Sequence, residues 1–419
     1  MIMGALYYTS NKTHNDKYEQ MSSSGKHSVR FDVKESLLRW ALDRSNKSVD
    51  ELSRKQNLRN LGDWLVGTRK PTRPQLEAFA RATYTPFGYL LLSEPPYEQP
   101  SAIPHFRTMK NTRSPKRSID LEDMIKIIER RQDWVRDYLL ELGADPLEFI
   151  KSSNIDDDPI DVANKIREKL GLAPNWTTEQ SGWESAQRYL KKQIEAVRIF
   201  VSTSSMVQHN PHRPLDPEEF RGFVLVDDYA PFVFVNSADI GGAQMFTLAH
   251  ELAHVWIGKS ASFDLRRLTS NQDDRLEFAC NRIAAEFLVP TKELLQYWDS
   301  YAASSMDDPY KKIARRFNVS RIVAARRALD TQCIPQNEFD EFYNDYIQQA
   351  QKKKLKDLQD NQSGPSFYVA ALPRIGRRFM QTVSTAVGER KLLYREAYSL
   401  TGLSSEAFDE MKKIEGVKH

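Results

Sequence analysis

Apolar residues recur at intervals of three and four over most of the chain, a spacing that predicts a mainly helical protein. Between residues 31 and 95 the runs ESLLRWALDRS, VDELSRKQ, NLRNLGDWLVG, RPQLEAFARAT and FGYLLL all carry it. Gly67, Pro71 and Pro86 punctuate them, and five short helices are expected there, forming a compact helical module. PPYEQPSAIP (95–104) then breaks the rhythm. Within 119–150, IDLEDMIKIIERRQDWVRDYLLEL predicts one long helix capped near Ser118 or Asp120. NIDDDPIDVANKIREKLGL and SGWESAQRYLKKQIEAV predict two more.

The pattern then changes. VRIFVS, RGFVLVDD and PFVFVN are β-branched and aromatic, with DDYA as a turn between the last two, which predicts a small antiparallel sheet. The sheet leads into the helical run FTLAHELAHVW (246–256). DRLEFACNRIAAEFLVP predicts a helix closed by Pro290, and helical spacing continues to about 358. NQSGPS (361–366) interrupts it, and 367–415 is helical again. The expected organisation is a tail over 1–30, a helical module over 31–95 and a linker over 96–118. A central domain over 119–290 and a helical extension over 291–358 follow, then a second linker over 359–366 and a closing helical module over 367–419. The fold class is α+β, mostly α-helical.

Composition narrows the function classes. A net charge of +3 does not by itself imply nucleic acid, so basic residues matter only where they cluster. Two cysteines, Cys280 and Cys333, cannot build a disulfide framework and fit a reducing compartment. The first residues lack the basic and apolar pattern of a secretory signal. No apolar run approaches the ~20 residues that span a bilayer. A cytoplasmic protein without membrane contact is expected.

The chemistry concentrates at His250, Glu251 and His254. On a helix, residues four apart lie about 40° from one another, so His250 and His254 offer two imidazoles to one point. Glu251, about 100° round from His250, stands beside that point and can reach water there without becoming a ligand. A catalytic zinc site needs a third protein ligand and an open position. Asp264, Asp273, Asp274, Glu277 and Glu286 are the nearby carboxylates. Glu277 and Glu286 fall about 180° apart on one helix, so only one can face the metal. Glu277 shares a stripe with Asn281, Ala284, Ala285 and Leu288, small residues that let two helices approach. Glu277 is the choice, with Asp273 and Asp274 as alternatives. Cys280, three residues after Glu277, reads as a small core residue before it reads as a redox switch.

FTLAHELAH, the following ExxCNRIAAEFLVP and the approach RGFVLVDDYAPFVFVN together resemble the ImmA/IrrE family of zinc metallopeptidases over roughly 155–330. The resemblance implies a zincin-like core, Zn2+ bound by His250, His254 and Glu277, and Glu251 as general base. His209, His212 and Tyr229 are upstream candidates for stabilising an oxyanion. PFVFVN is expected to offer an edge to which an extended substrate adds as a strand.

LRWALDRSNKSVDELSRK and NLGDWLVGTRKPTRPQLEAFARA resemble a divergent helix-turn-helix of the phage-repressor type. There Arg59 and Asn60 would sit at the start of a recognition helix, and Arg69, Lys70 and Arg73 would meet phosphate. IARRFNVSRIVAARRALD (313–330) has a similar rhythm and five arginines, read first as packing for the central domain. The closing block resembles the tail of longer family members. The family resemblance implies a zinc endopeptidase acting on a regulatory protein, such as a DNA-bound repressor of a mobile element or stress response. The alternative is a DNA-binding antitoxin-type regulator that grips a toxin partner and keeps its zinc for structure.

Overall fold

The computed structural model describes residues 29–97, 117–239, 241–259, 261–263, 275–302, 308–357 and 367–414. Most of the expected tail and of both linkers, together with Asp264, Asp273 and Asp274, lies outside these residues. Contacts divide the chain into two compact units, 1–99 and 100–419.

The first unit packs helices α1 (Glu35–Ser45), α2 (Val49–Ser53), α3 (Leu61–Leu65) and α4 (Arg73–Ala82). Its core joins Leu38, Leu52, Leu61, Trp64, Leu76 and Phe79. Ser48 accepts from the Glu51 amide at the start of α2, and the Gln75 side chain reaches back to the Thr72 amide at the start of α4. Both contacts use helical donors that would otherwise stay unpaired. Two expected helices are shorter and tighter than the periodicity implied. NLRNLGDWLVG divides into a 3₁₀ turn at Gln56–Leu58 and the five-residue α3, and Phe87–Leu91 is also 3₁₀. Leu58 and Leu61 both point into the core, a spacing of three that suits 3₁₀ geometry. Gly67, at φ +74°, blocks continuation of α3.

The second unit has a sheet between two helical layers. Strands β1 (Phe200–Ser204), β2 (Gly222–Leu225), β3 (Phe232–Asn236) and β4 (Ala261–Phe263) lie in the order β1-β3-β2-β4. The sheet is mixed, not antiparallel as expected, because β1 runs parallel to β3. The long connection after β1 returns the chain on the far side of β3, and the β2–β3 hairpin then delivers β3 beside β1. PFVFVN is consequently an interior strand with both sides paired. It offers no edge. The outer position next to β2 belongs to β4, a strand of three residues, too short for its alternation to be legible in the sequence.

Phe and Val alternate along the strands, and each type meets a different core. Phe200, Phe223, Phe232 and Phe234 face α5 (Ile119–Glu141) and four closing helices, α14 (Phe367–Ile375), α15 (Arg377–Gly388), α16 (Tyr394–Thr401) and α17 (Ser405–Ile414). Val201, Val224, Val233 and Val235 face the other layer. That layer holds α6 (Pro159–Lys169), α7 (Trp183–Ala196), α8 (Gly241–Ile257), α9 (Arg275–Leu288) and α10 (Thr291–Ala302). It also holds α11 (Pro309–Phe317), α12 (Arg321–Asp330) and α13 (Gln336–Asp357). Each buried Phe contributes roughly 1.5–3 kcal/mol, and coverage on both faces accounts for the nearly continuous apolar runs of β2 and β3.

The sequence set 367–419 apart as a closing module; its helices share one core with α5 and the sheet. Gly376 has φ +92°, and a β-carbon there would stand 2.5 Å from the Val201 carbonyl oxygen. Arg131 of α5 is buried and donates to the carbonyls of Leu400 (3.0 Å), Arg374 (3.2 Å) and Ile375 (3.4 Å). A cation placed at two helix C-termini meets their negative dipole ends.

Candidate metal centre

Helix α8 is apolar on nearly all sides because it is enclosed, lying between the sheet and helices α6, α7 and α9. Its polar residues are therefore held away from water. Thr247 and Glu251, one turn apart, sit over β2 where residue 222 is glycine. A β-carbon at Gly222 would lie 2.5 Å from Thr247 Cγ2, 2.8 Å from the Phe234 carbonyl oxygen and 3.2 Å from Glu251 Oε1. The missing side chain lets α8 come down onto the sheet. His250 and His254 turn instead toward α9.

Glu277, in the first turn of α9, bridges the two rings. Its Oε2 is 3.2 Å from His250 Nε2 and its Oε1 is 3.3 Å from His254 Nε2. The two Nε2 atoms are 3.0 Å apart. Neighbouring vertices of a tetrahedron with arms of about 2.05 Å lie about 3.3 Å apart, so these spacings suit a zinc-sized ion. His250, His254 and Glu277 form a buried group that could hold a metal ion. On the outer side of the His250 ring, Nδ1 is 3.0 Å from Asn281 Oδ1. Asn281 is one turn beyond Glu277, so a single stretch of α9 contacts both nitrogens of one imidazole.

The two carboxyl groups are driven in opposite directions. Burial alone would raise Glu277, but its contacts with His250 and His254 win and hold it well below the usual carboxylate range. Glu251 is pushed well above that range by burial and then by the charge of Glu277. Neither of its oxygens has a hydrogen-bond partner among the described residues. Burial lowers His250, favouring the neutral imidazole that metal binding requires. One carboxyl is thus set to stay ionised while the other is ready to accept a proton.

Residues 197–329 match the family model of the IrrE N-terminal-like domain, Peptidase_M78. A segment of this chain is therefore similar to a family of metallopeptidases of the IrrE/ImmA type. The IrrE-like segment contains the whole sheet together with α8 and α9, and hence every donor described above. Residues 375–413, which supply most of the helices over the Phe face, match a domain of unknown function, DUF8813. No curated protein matches the chain with significance.

Other candidates from the sequence fall elsewhere. Glu286, opposite Glu277 on α9, is buried in an ion pair with Arg327 of α12 and accepts from the Thr291 amide and hydroxyl. Three other arginines in 313–330 are engaged too. Arg321 pairs with Asp308 and Arg326 with Asp330, while Arg316 stacks 3.8 Å above the Tyr297 ring. Asn318, in the turn between α11 and α12, donates to the Thr177 carbonyl. This segment is packing for the central domain. His209 docks on the Thr401 carbonyl at the end of α16, on the Phe side of the sheet and away from α8. His212 is exposed, and Tyr229 lies in the β2–β3 turn. Cys280 is fully buried in the inner core. In the first unit Arg59, Arg69, Lys70 and Arg73 are exposed and Asn60 is half-buried; Lys70 pairs with Asp32 and Arg73 with Glu77.

Sequence reasoning missed two contributors. Gly222 is the first residue of β2 and reads as ordinary strand-end composition. Asn281 was placed on the Glu277 stripe but given no task, although its position four residues beyond Glu277 was the available signal.

Proposed function

We propose that this protein is a zinc-dependent endopeptidase in which His250, His254 and Glu277 hold the metal and Glu251 is the general base. One observation carries the reading: three buried donors meet at spacings that suit a tetrahedral ion, beside a buried carboxyl group with no partner of its own. A zinc ion held there supplies Lewis acidity, polarising a peptide carbonyl and acidifying water near neutral pH. Glu251 takes the proton of the attacking water and passes it to the leaving amine. Its carboxyl group suits both transfers because burial raises its proton affinity, and a neighbouring cation would draw that affinity back down. Glu277 stays ionised, and burial favours the neutral imidazole of His250.

The substrate in this reading is a regulatory protein of the cytoplasm, such as a DNA-bound repressor of a mobile element or stress response. The family match supports a protein substrate. The decisive experiment compares wild type with Glu251→Gln, measuring zinc content and cleavage of repressor-type proteins. The variant should keep its zinc and lose cleavage by several orders of magnitude. Equal cleavage by both proteins would end the assignment of Glu251, and a wild type without bound metal would end the whole reading.

The exposed basic residues of the first unit favour a second role, DNA binding, on which the antitoxin-type alternative also rests. If Arg59, Arg69, Lys70 and Arg73 neutralise phosphates, affinity for duplex DNA should fall steeply with salt. Their joint replacement by alanine should flatten that dependence. Co-purification of a small toxin with a zinc-loaded but proteolytically inert protein would favour the alternative.

A further inference from the structure

We infer that Asn281 is a positioning residue, which fixes the tautomer of His250 so that a bare Nε2 faces the metal. The inference rests on the zinc reading above and deepens it. His250 Nε2 points at the Glu277 carboxylate, an acceptor, with Oε2 at 3.2 Å, and lies 3.0 Å from His254 Nε2. Its other nitrogen, Nδ1, meets the side-chain oxygen of Asn281 at 3.0 Å. An amide oxygen only accepts, so this contact places the ring proton on Nδ1 and leaves Nε2 without one. Acceptors then converge on one point, an arrangement that a cation satisfies.

The neighbouring ring shows what this contact adds. His254 is equally buried, yet its Nδ1 has no hydrogen-bond partner among the described residues. The two histidines are therefore held unequally. Asn281 stands one helical turn from Glu277, so whatever brings α9 up to the metal also brings up the group that orients His250. Its amide is neutral where a carboxylate could have served. A carboxylate would lock the same tautomer but add a second negative charge beside Glu277, weakening the Lewis acidity of a bound cation. An uncharged partner orients the ring without that effect.

Zinc affinity measured by chelator competition on the full chain tests this, with Asn281→Leu, Asn281→Asp and wild type compared. Loss of an orienting partner of this kind typically weakens metal binding about 10–100-fold, and Asn281→Leu should fall by that much. Asn281→Asp should bind zinc at least as tightly as wild type, since it keeps the acceptor and adds charge. Wild-type affinity in Asn281→Leu, or an equal loss in Asn281→Asp, overturns the inference while leaving the zinc reading intact. A wild type that binds no zinc defeats the zinc reading instead. Should Asn281→Leu fail to fold, nitrogen–proton correlation spectra of the metal-free wild type decide: a proton on His250 Nδ1 with none on Nε2 supports the inference, and a proton on Nε2 overturns it.

Discussion

The Glu286–Arg327 ion pair separates architecture from chemistry on α9, because the same helix carries both acidic residues that the sequence placed near the metal. Arg327 is bonded to the Glu286 carboxylate, to the Val289 carbonyl at 2.8 Å and to the Thr291 hydroxyl at 2.6 Å. Both side chains are under one-tenth exposed. Removing one partner from a buried pair of this kind costs about 3–5 kcal/mol, whereas replacing both with apolar residues can be nearly neutral. Arg327→Met keeps the two Thr291 donors to Glu286, so its cost belongs at the lower end, about 3 kcal/mol. For a unit of about 320 residues that is a fall in Tm of roughly 4–5 °C. Glu286→Gln should behave similarly, and the double variant Glu286→Met/Arg327→Met should recover most of the loss. Zinc content should stay at the wild-type value in every protein that folds. Glu277→Gln should do the reverse, losing metal with little effect on the melting of the metal-free chain. A Glu286→Gln protein that loses zinc at an unchanged Tm would refute the assignment of roles on this helix.

Three further outcomes follow from particular contacts. Gly222→Ala forces a methyl group against Thr247 and the Phe234 carbonyl; overpacking of this kind costs about 1–3 kcal/mol, and cleavage should drop further than zinc affinity because Glu251 is displaced while the ligands face α9. Unchanged cleavage in that variant would show that α8 can rise without harm. Arg131→Met leaves helix-end carbonyls buried without a donor, which should cost at least about 3 kcal/mol and show first as early proteolysis within 367–414; uniform protection would count against it. Lys191, bonded to the Thr203 hydroxyl at 2.8 Å, is lowered to about 8 by burial, partly offset by Glu195. The unfolded chain then holds this proton more tightly than the folded one, so stability should rise with pH between about 8 and 10, a slope that Lys191→Met abolishes; identical slopes in urea titrations would sink it.

How much of this was legible depended on the range of the interaction. Helical periodicity fixed the relation of His250 to His254; the angular separation along α9 left room for only one of Glu277 and Glu286, and the stripe of small residues pointed to Glu277. Both are arguments within one element. The alternation in FVFV predicted strands correctly, since period two is also local. Strand neighbours were not legible, because the position of β3 beside β1 depends on where the connection after β1 carries the chain. Arginines 315, 316, 321, 326 and 327 look alike as a basic run. Only the approach of α12 to α9 distinguishes Arg327, which is buried against Glu286, from Arg326, which pairs with Asp330 on its own helix.

The metal centre depends on both faces of the sheet. Glu251 sits where it does because α8 descends onto Gly222, and the sheet bearing Gly222 is backed by the phenylalanines packed on its other side. Those phenylalanines are covered by α5 and α14–α17, segments that lie outside the IrrE-like match. The turn between β2 and β3 is clamped from the same side: Gln132 of α5 donates to the Leu225 carbonyl at 2.8 Å and to the Ala230 carbonyl at 2.9 Å. Stripped of that layer, residues 197–329 would present a continuous aromatic surface to water, and the strand under Glu251 would lose its backing. The outer helices therefore act on the chemistry by fixing the height at which α8 rests above β2.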